Sequence, residues 1–535
     1  MSPFQNGPEP ETPATLSSPA RLKDRKSLGL ALVVLWLMTG FYFGSEKVKG
    51  GYPVWRALPL DDAYIHLVYA RSLSERGRLE YNDGVPEAGM TSLLWAILES
   101  PFLLLGRQAG FSPLLAIHLQ NQLLALALAL AVFFWARESY ASAGIGILAA
   151  GAVLLEPALG FSRFSGMEVL LSAALLVAAC FTWQQARYAG AGIFLALALL
   201  ARPENILLLG LCLVAEFFRA GPRRRWLLLL LPPVLAGLLW ALLNYSATGR
   251  PLPNTFYVKS KLGLDLAETG RLIRAMVFGL PFFHWGAGFG LYLLGAGGLL
   301  WRRKWRALPL VVFPWLLVLS VACTRDIVCL WAYVFHRYFQ PCIPFLLVPW
   351  AAGAGWAARE TLRLIRSRAE RRGFRPAFAA AGLILVIASL IPWPGRMIHW
   401  RKLLAWNCSN IEEIQVRLGH WIAEHTQPSD RIAVYDAGAI RFYGQRRTLD
   451  LIGLNNHEIS AAPAAVFLRE KPDYLVRPFW PGDTDPFSSN WFEYNLSPQQ
   501  KIWLRAVFTT AAERYTVTEG YPNRQTVYQI SYQRP

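Results

Sequence analysis

The sequence predicts a polytopic α-helical membrane protein of about eleven transmembrane helices with a C-terminal soluble α/β domain. Three observations predict it. Of 535 residues, 54% are hydrophobic and 16% charged, whereas soluble domains carry roughly a quarter charged residues. Apolar runs recur from Leu28 to Leu390, many near the ~20 residues a helix needs to cross about 30 Å of hydrocarbon. From Asn410 onward the pattern changes to short alternating helix and strand signals.

Residues 1–27 begin with a Pro-, Ser- and Thr-rich stretch and read as a disordered cytoplasmic tail. The membrane domain is 28–393, with spans near 28–44, 114–135, 143–158, 169–183, 190–204, 206–219, 226–246, 286–300, 307–322, 343–358 and 376–393. Leu28–Gly44 lacks a following small-residue cleavage site and reads as a retained anchor. The net charge is +18, but the cations cluster beside apolar runs at Arg21–Lys26, Arg219–Arg225, Arg302–Arg306 and Arg359–Arg375. That is the positive-inside pattern and not a nucleic-acid surface. All four clusters fall inside only if 93–106, interrupted by Glu99-Ser100-Pro101, does not span and is instead a re-entrant or interfacial helix. The first loop, 45–92, and the domain 394–535 then lie outside, and the N-terminus is cytoplasmic.

In the C-terminal part a helix is predicted over Ile411–His425. Strands follow at Arg431–Tyr435, near Thr448–Leu451 and at Tyr474–Arg477. Asp436-Ala437-Gly438 reads first as a tight turn and second as a ligand loop at a strand end. The aromatics Phe479, Trp480, Phe487, Trp491 and Phe492 read as core, with stacking on sugar rings as the other reading. Cys180 and Cys212 lie in apolar runs, whereas Cys323, Cys329 and Cys342 share one outer loop where a disulfide is conceivable. No Cys/His spacing suits a metal, so no metal site and no cofactor are predicted. The loop carboxylates Asp83 and Glu87 are the groups left to hold a divalent cation.

The chemistry centres on Pro59-Leu-Asp-Asp-Ala-Tyr-Ile-His, where Asp61 and Asp62 open a helix just outside the first span. Asp62 is placed to cap it. Ile65, Val68, Tyr69 and Leu73 share one face, which predicts an amphipathic helix along the outer membrane surface. A carboxylate at that depth suits removal of a proton from an attacking hydroxyl, and its neighbour can tune it. By themselves the two acids equally fit a helix cap. Glycosyl transfer from a phosphate leaving group also calls for cations on the same face. Arg163, Arg202, Lys259, Lys261, His336 and Arg337 are the candidates, with Glu168 and Glu204 beside the first two. Snorkelling or local Arg–Glu pairing competes with function for Arg163 and Arg202.

The ordered motifs Asp61-Asp-Ala-Tyr-Ile, Tyr81-Asn-Asp-Gly, Glu87-Ala-Gly-Met-Thr-Ser-Leu-Leu-Trp, Ser165-Gly-Met-Glu168, Ala201-Arg-Pro-Glu204, Pro253-Asn-Thr-Phe-Tyr-Val-Lys259, His336-Arg-Tyr-Phe-Gln-Pro341, Asp436-Ala-Gly and Asp450-Leu-Ile-Gly-Leu span nearly the whole chain. Together they resemble the GT-C superfamily of glycosyltransferases, nearest to the terminal β-(1→2)-arabinofuranosyltransferases of actinobacterial cell-wall assembly. The resemblance implies a multi-pass enzyme of the bacterial cytoplasmic membrane that uses a polyprenyl-phosphate-linked sugar and inverts the anomeric centre. The sugar would be arabinofuranose or another pentose or hexose, and the acceptor a glycan or lipid. It implies Asp61 and Asp62 as catalytic candidates and Glu168, Arg202, Lys259 and Arg337 around the donor phosphate and sugar. A transporter or flippase of lipid-linked sugars, or a non-catalytic glycan-binding scaffold, is the competing class. No paired helical repeat favours transport.

Overall fold

A computed structural model of the chain describes residues 19–219, 222–260, 263, 266–274, 286–301, 305–324, 337–366, 375–478, 502–511 and 524–532. Its helices are α1 (Pro19–Gly44), α2 (Asp61–Arg76), α3 (Leu93–Gln108), α4 (Pro113–Tyr140), α5 (Ala143–Leu155), α6 (Pro157–Ser162), α7 (Val169–Gln184), α8 (Tyr188–Ala201), α9 (Ile206–Phe218), α10 (Arg223–Thr248) and α11 (Asn254–Lys259). Further apolar helices follow at Ala287–Trp301, Leu308–Thr324, Ile343–Arg366 and Arg375–Leu390. Among the described residues, Pro113–Tyr140, Arg223–Thr248, Gln340–Ile365 and Pro376–His425 are long and apolar enough to cross a membrane, and six shorter apolar helices accompany them. The chain is a multi-pass helical membrane protein.

Close backbone packing holds the bundle. A Cβ at Gly295 would meet the Pro349 carbonyl oxygen at 1.9 Å, and one at Gly353 would meet that of Leu291 at 2.1 Å. Such small-residue contacts replace the hydrophobic drive that lipid does not supply between helices. The Phe345 ring packs 4.9 Å from both Trp135 and Phe313, tying three helices into one core. On α10, Leu231, Leu235, Leu238 and Leu242 face outward, as a lipid-facing surface requires.

The segment predicted not to span is α3, a 16-residue helix with Pro101 inside it and Glu99 fully buried.

After Arg375–Leu390 the chain continues as a helix from Trp393. The helix expected at 411–425 is therefore the end of this run, with a π-helical stretch at Glu412–Val416. In the first loop β1 (Glu80–Asn82) pairs antiparallel with β2 (Val85–Pro86). The C-terminal strands are β3 (Arg431–Val434), β4 (Arg447–Asp450), β5 (Tyr474–Pro478), β6 (Trp503–Ala511) and β7 (Arg524–Ser531). They form one sheet in the order β4-β3-β5-β7-β6, with β3 parallel to β4 and β5, and β7 antiparallel to β5 and β6. The first three lie where strand signals were read, whereas the antiparallel pair β6 and β7 was not anticipated. The aromatics at 479–492 lie outside the described residues.

Candidate active site

Leu60 is extended (φ −137°, ψ 130°) and helix α2 begins at Asp61, so both aspartates occupy its first turn and neither is its N-cap. The positive end of the helix dipole favours carboxylates there. The expectation that α2 lies on the membrane surface does not hold, because every residue from Ala63 to Ala70 is buried. Helix α3 packs against it, and so does the short helix Ala439–Gly444 of the C-terminal region. That second cover replaces the lipid that the apolar face of α2 was read to need.

Successive helical residues point ~100° apart, so Asp61 and Asp62 cannot face the same place. Asp62 lines a pocket, and His66, one turn on, lines it beside Asp62. Glu168, just before α7, Arg202 and Glu204, just after α8, Lys259, at the end of α11, and Arg337 complete its charged wall. The Arg337 Nη2 donates to Asp62 Oδ2 at 2.9 Å. Its Nε and Nη1 are buried without a partner among the described residues. Arg202 Nη1 donates to Glu168 Oε1 at 2.5 Å, and its Nε donates to Glu204 Oε1 at 2.8 Å. The His66 Nε2 lies 3.7 Å from Glu168 Oε2. Both arginines stack on Tyr338, at 5.0 Å for Arg202 and 5.5 Å for Arg337.

The electrostatics separate the adjacent acids. Burial alone would raise the Asp62 carboxyl, but Lys259 and Arg337 outweigh it and hold the group below the usual carboxylate range. Burial and the neighbouring Asp436 push Asp61 well above that range, and bonds from Ala439 and Gly438 offset this only in part. Burial lowers His66 and favours its neutral form, with Glu168 and Asp62 opposing. The pocket thus pairs an ionised carboxylate with Arg337, whose Nε and Nη1 have no partner among the described residues, a set that can hold an anion and accept a proton beside it.

Of the residues singled out in the sequence, the fold brings Asp62, Glu168, Arg202, Lys259 and Arg337 into one pocket. Asp61 turns away to the C-terminal region, where the Gly438 and Ala439 N–H groups donate to its two oxygens at 2.8 Å each. Arg163 lies apart: it donates from Nε to Gln122 at 2.8 Å, from Nη1 to Thr39 at 2.6 Å and from Nη2 to the Trp36 carbonyl at 2.9 Å. It ties α6 to α1 and α4. Lys261 and His336 lie outside the described residues. His66, Tyr338 and Thr255 line the pocket and were missed. His66 stands at i+4 from Asp62, a spacing that carries the signal.

Replacing Arg163 with Met is expected to cost about 1–3 kcal/mol by orphaning buried acceptors, read as thermal unfolding in detergent, with the pocket's ligand affinity unchanged. Neither loop carboxylate offered for a cation lines the pocket. Asp83 pairs with Arg76 at 2.7 Å, and Glu87 accepts from Asn254 at 3.0 Å and contacts His457 Nδ1 at 3.1 Å. Cys323 and Cys342 are free thiols, and Cys329 lies outside the described residues.

Residues 409–528 match a family model described only as a domain of unknown function (DUF8728). No curated protein matches the chain. Among solved structures, the chain is similar to ArnT from Cupriavidus metallidurans bound to undecaprenyl phosphate, at 14% identity over 95% of this chain and 99% of that one, with a TM-score of 0.58. It is also similar to the oligosaccharyltransferase AglB from Archaeoglobus fulgidus, in complex with an inhibitory peptide and a dolichol-phosphate. There the identity is 13% over 84% of this chain and 69% of that one, with a TM-score of 0.57. At these identities the likeness is one of fold. The chain shares the fold of these two proteins.

Proposed function

We propose that this protein is a membrane glycosyltransferase that moves a sugar from a polyprenyl-phosphate donor to a hydroxyl of a glycan or lipid acceptor, with inversion. The observation that carries the reading is Arg337. One of its amines is fixed on Asp62 while two further buried donors are unpartnered among the described residues, as a phosphate site beside a base requires. The GT-C fold supports it, since two proteins of that fold were solved with polyprenyl-type phosphates.

In the mechanism, the acceptor oxygen attacks the anomeric carbon from the face opposite the phosphate while Asp62 takes its proton. The bond from that carbon to the phosphate oxygen breaks, the electron pair stays on the departing phosphate oxygen, and Arg337 and Lys259 stabilise the charge that forms there. Arg202 is held by Glu168 and Glu204 and shapes the wall behind the sugar. Before a donor engages the two cations, Asp62 is a weak base because Lys259 and Arg337 stabilise its ionised form. A phosphate that engages both cations returns Asp62 toward ordinary carboxylate basicity.

The test is transfer of labelled sugar from polyprenyl-phosphate pentoses and hexoses by purified protein. Arabinofuranose is the first donor to try, because the sequence motifs resemble arabinofuranosyltransferases. Saturable donor binding with no transfer from any donor would sink the reading and favour a carrier or scaffold. The topology belongs to the same proposal: about eleven spans, with the N-terminus cytoplasmic and the C-terminal sheet outside the bacterial cytoplasmic membrane. A reporter fused to the C-terminal segment is expected to register outside, and a cytoplasmic signal overturns that orientation.

A further inference from the structure

In open sheets of parallel strands, the ligand crevice lies beyond the carboxyl ends of the strands where connections leave to opposite sides. Here that place is the end of β3: the chain passes to β4 on one side and returns to β5 on the other. The group in the crevice is the protein's own carboxyl. The two Asp61 side-chain oxygens accept from the Gly438 and Ala439 N–H groups, 377 and 378 residues away in sequence. The approach leaves no room for a side chain, because a Cβ at Gly438 would sit 2.0 Å from the Asp61 carbonyl oxygen.

Further bonds fasten the same two regions. The Tyr81 hydroxyl donates to the Ala437 carbonyl at 2.6 Å. Asn82 exchanges two bonds with the Thr448 backbone, at 2.8 and 2.9 Å. Beyond β4, Leu454 lines the pocket itself.

We infer that Asp61 is a positioning residue: by filling the crevice of the C-terminal sheet it locks the first turn of α2 and thereby fixes Asp62 against Arg337. The domain of unknown function thus serves transfer by holding the catalytic turn, with its ligand crevice occupied in cis. The inference rests on Asp62 acting as the base proposed above. Asp61 is one residue away but directed elsewhere, so it acts through Asp62 and touches no substrate.

The experiment compares full-length Asp61→Asn, Gly438→Ala and the double variant by transfer kinetics and by amide hydrogen exchange over 434–445. Each single variant is expected to lower kcat by about 10–100-fold, the scale of a small misplacement of catalytic groups. The KM for donor should stay within about twofold, since the change falls on geometry and not on donor contacts. Protection over 434–445 falls in each, while α7 and α8 exchange as in wild type, which shows that the bundle is folded. The double variant is no slower than the slower single one, because both remove one contact.

Losses that multiply in the double variant overturn the inference, as does loss of transfer by Asp61→Asn with protection unchanged, which would make Asp61 the base. If the wild type transfers no sugar, the functional proposal fails, and exchange alone judges the latch. Unchanged protection in Asp61→Asn then overturns it.

Discussion

Replacing Asp62 with Asn is expected to lower the transfer rate by about 10²–10⁴-fold, the range lost with a general base, while donor lipid still binds. Asn keeps the shape of the side chain and an oxygen that can accept from Arg337 Nη2, now at 2.9 Å from Asp62 Oδ2. What it cannot do is take the acceptor's proton. Removing a negative charge beside Lys259 and Arg337 also leaves those cations to the phosphate, so donor affinity is expected to hold or tighten. Single-turnover transfer with a labelled donor, run beside equilibrium donor binding, separates the two effects. An Asp62→Asn protein with near wild-type turnover would exclude Asp62 as the base. A protein that loses binding and turnover together would instead place Asp62 in donor recognition.

Replacing Arg337 with Met is expected to lower kcat/KM by about 10²–10³-fold, the loss seen when one donor to developing charge is removed. The donors at stake are Nε and Nη1, which have no partner among the described residues. The same substitution carries a second, independent signature in pH dependence. In the wild type burial would raise the Asp62 carboxyl, but Lys259 and Arg337 hold it low. Without Arg337 that carboxyl must rise. A base works only when ionised, so activity falls as pH drops through its pKa, and the acid limb of kcat/KM moves to higher pH. Asp62 contributes stability in the opposite sense to a raised group: its folded pKa is depressed, so its contribution is present above the unfolded value of about 3.9 and fades as pH falls below it. That contribution shrinks in Arg337→Met. A large loss of kcat/KM with an unmoved acid limb would mean that Arg337 binds phosphate without tuning Asp62.

Arg163 and Arg202 show how far local pattern could go. Both are arginines at the edge of apolar runs with a glutamate nearby, and in sequence they carry the same signal. In the fold, Arg202 meets Glu168 across 34 residues and lines the pocket, whereas Arg163 reaches back across more than a hundred residues to Thr39 and Trp36. Which neighbour receives a guanidinium depends on which helix packs there, and that is a property of the bundle. The same limit governed α2. Its apolar face was legible, but its cover is a helix at Ala439–Gly444 that no local spacing announces. His66 was open to detection, since i+4 from Asp62 is a helix neighbour once the helix is accepted.

The sequence by itself determined the multi-pass helical architecture, because a bilayer admits only long apolar helices with their backbone bonds satisfied internally. It also supplied the residue types that the proposed transfer needs, since a phosphate leaving group would call for arginine and lysine and an acceptor hydroxyl for a carboxylate. Only the tertiary structure gave the two adjacent aspartates different surroundings. Helical geometry turns them ~100° apart, but it does not say what stands on each side. The bundle set Arg337 beside Asp62, and the C-terminal sheet set the Gly438 and Ala439 amides beside Asp61.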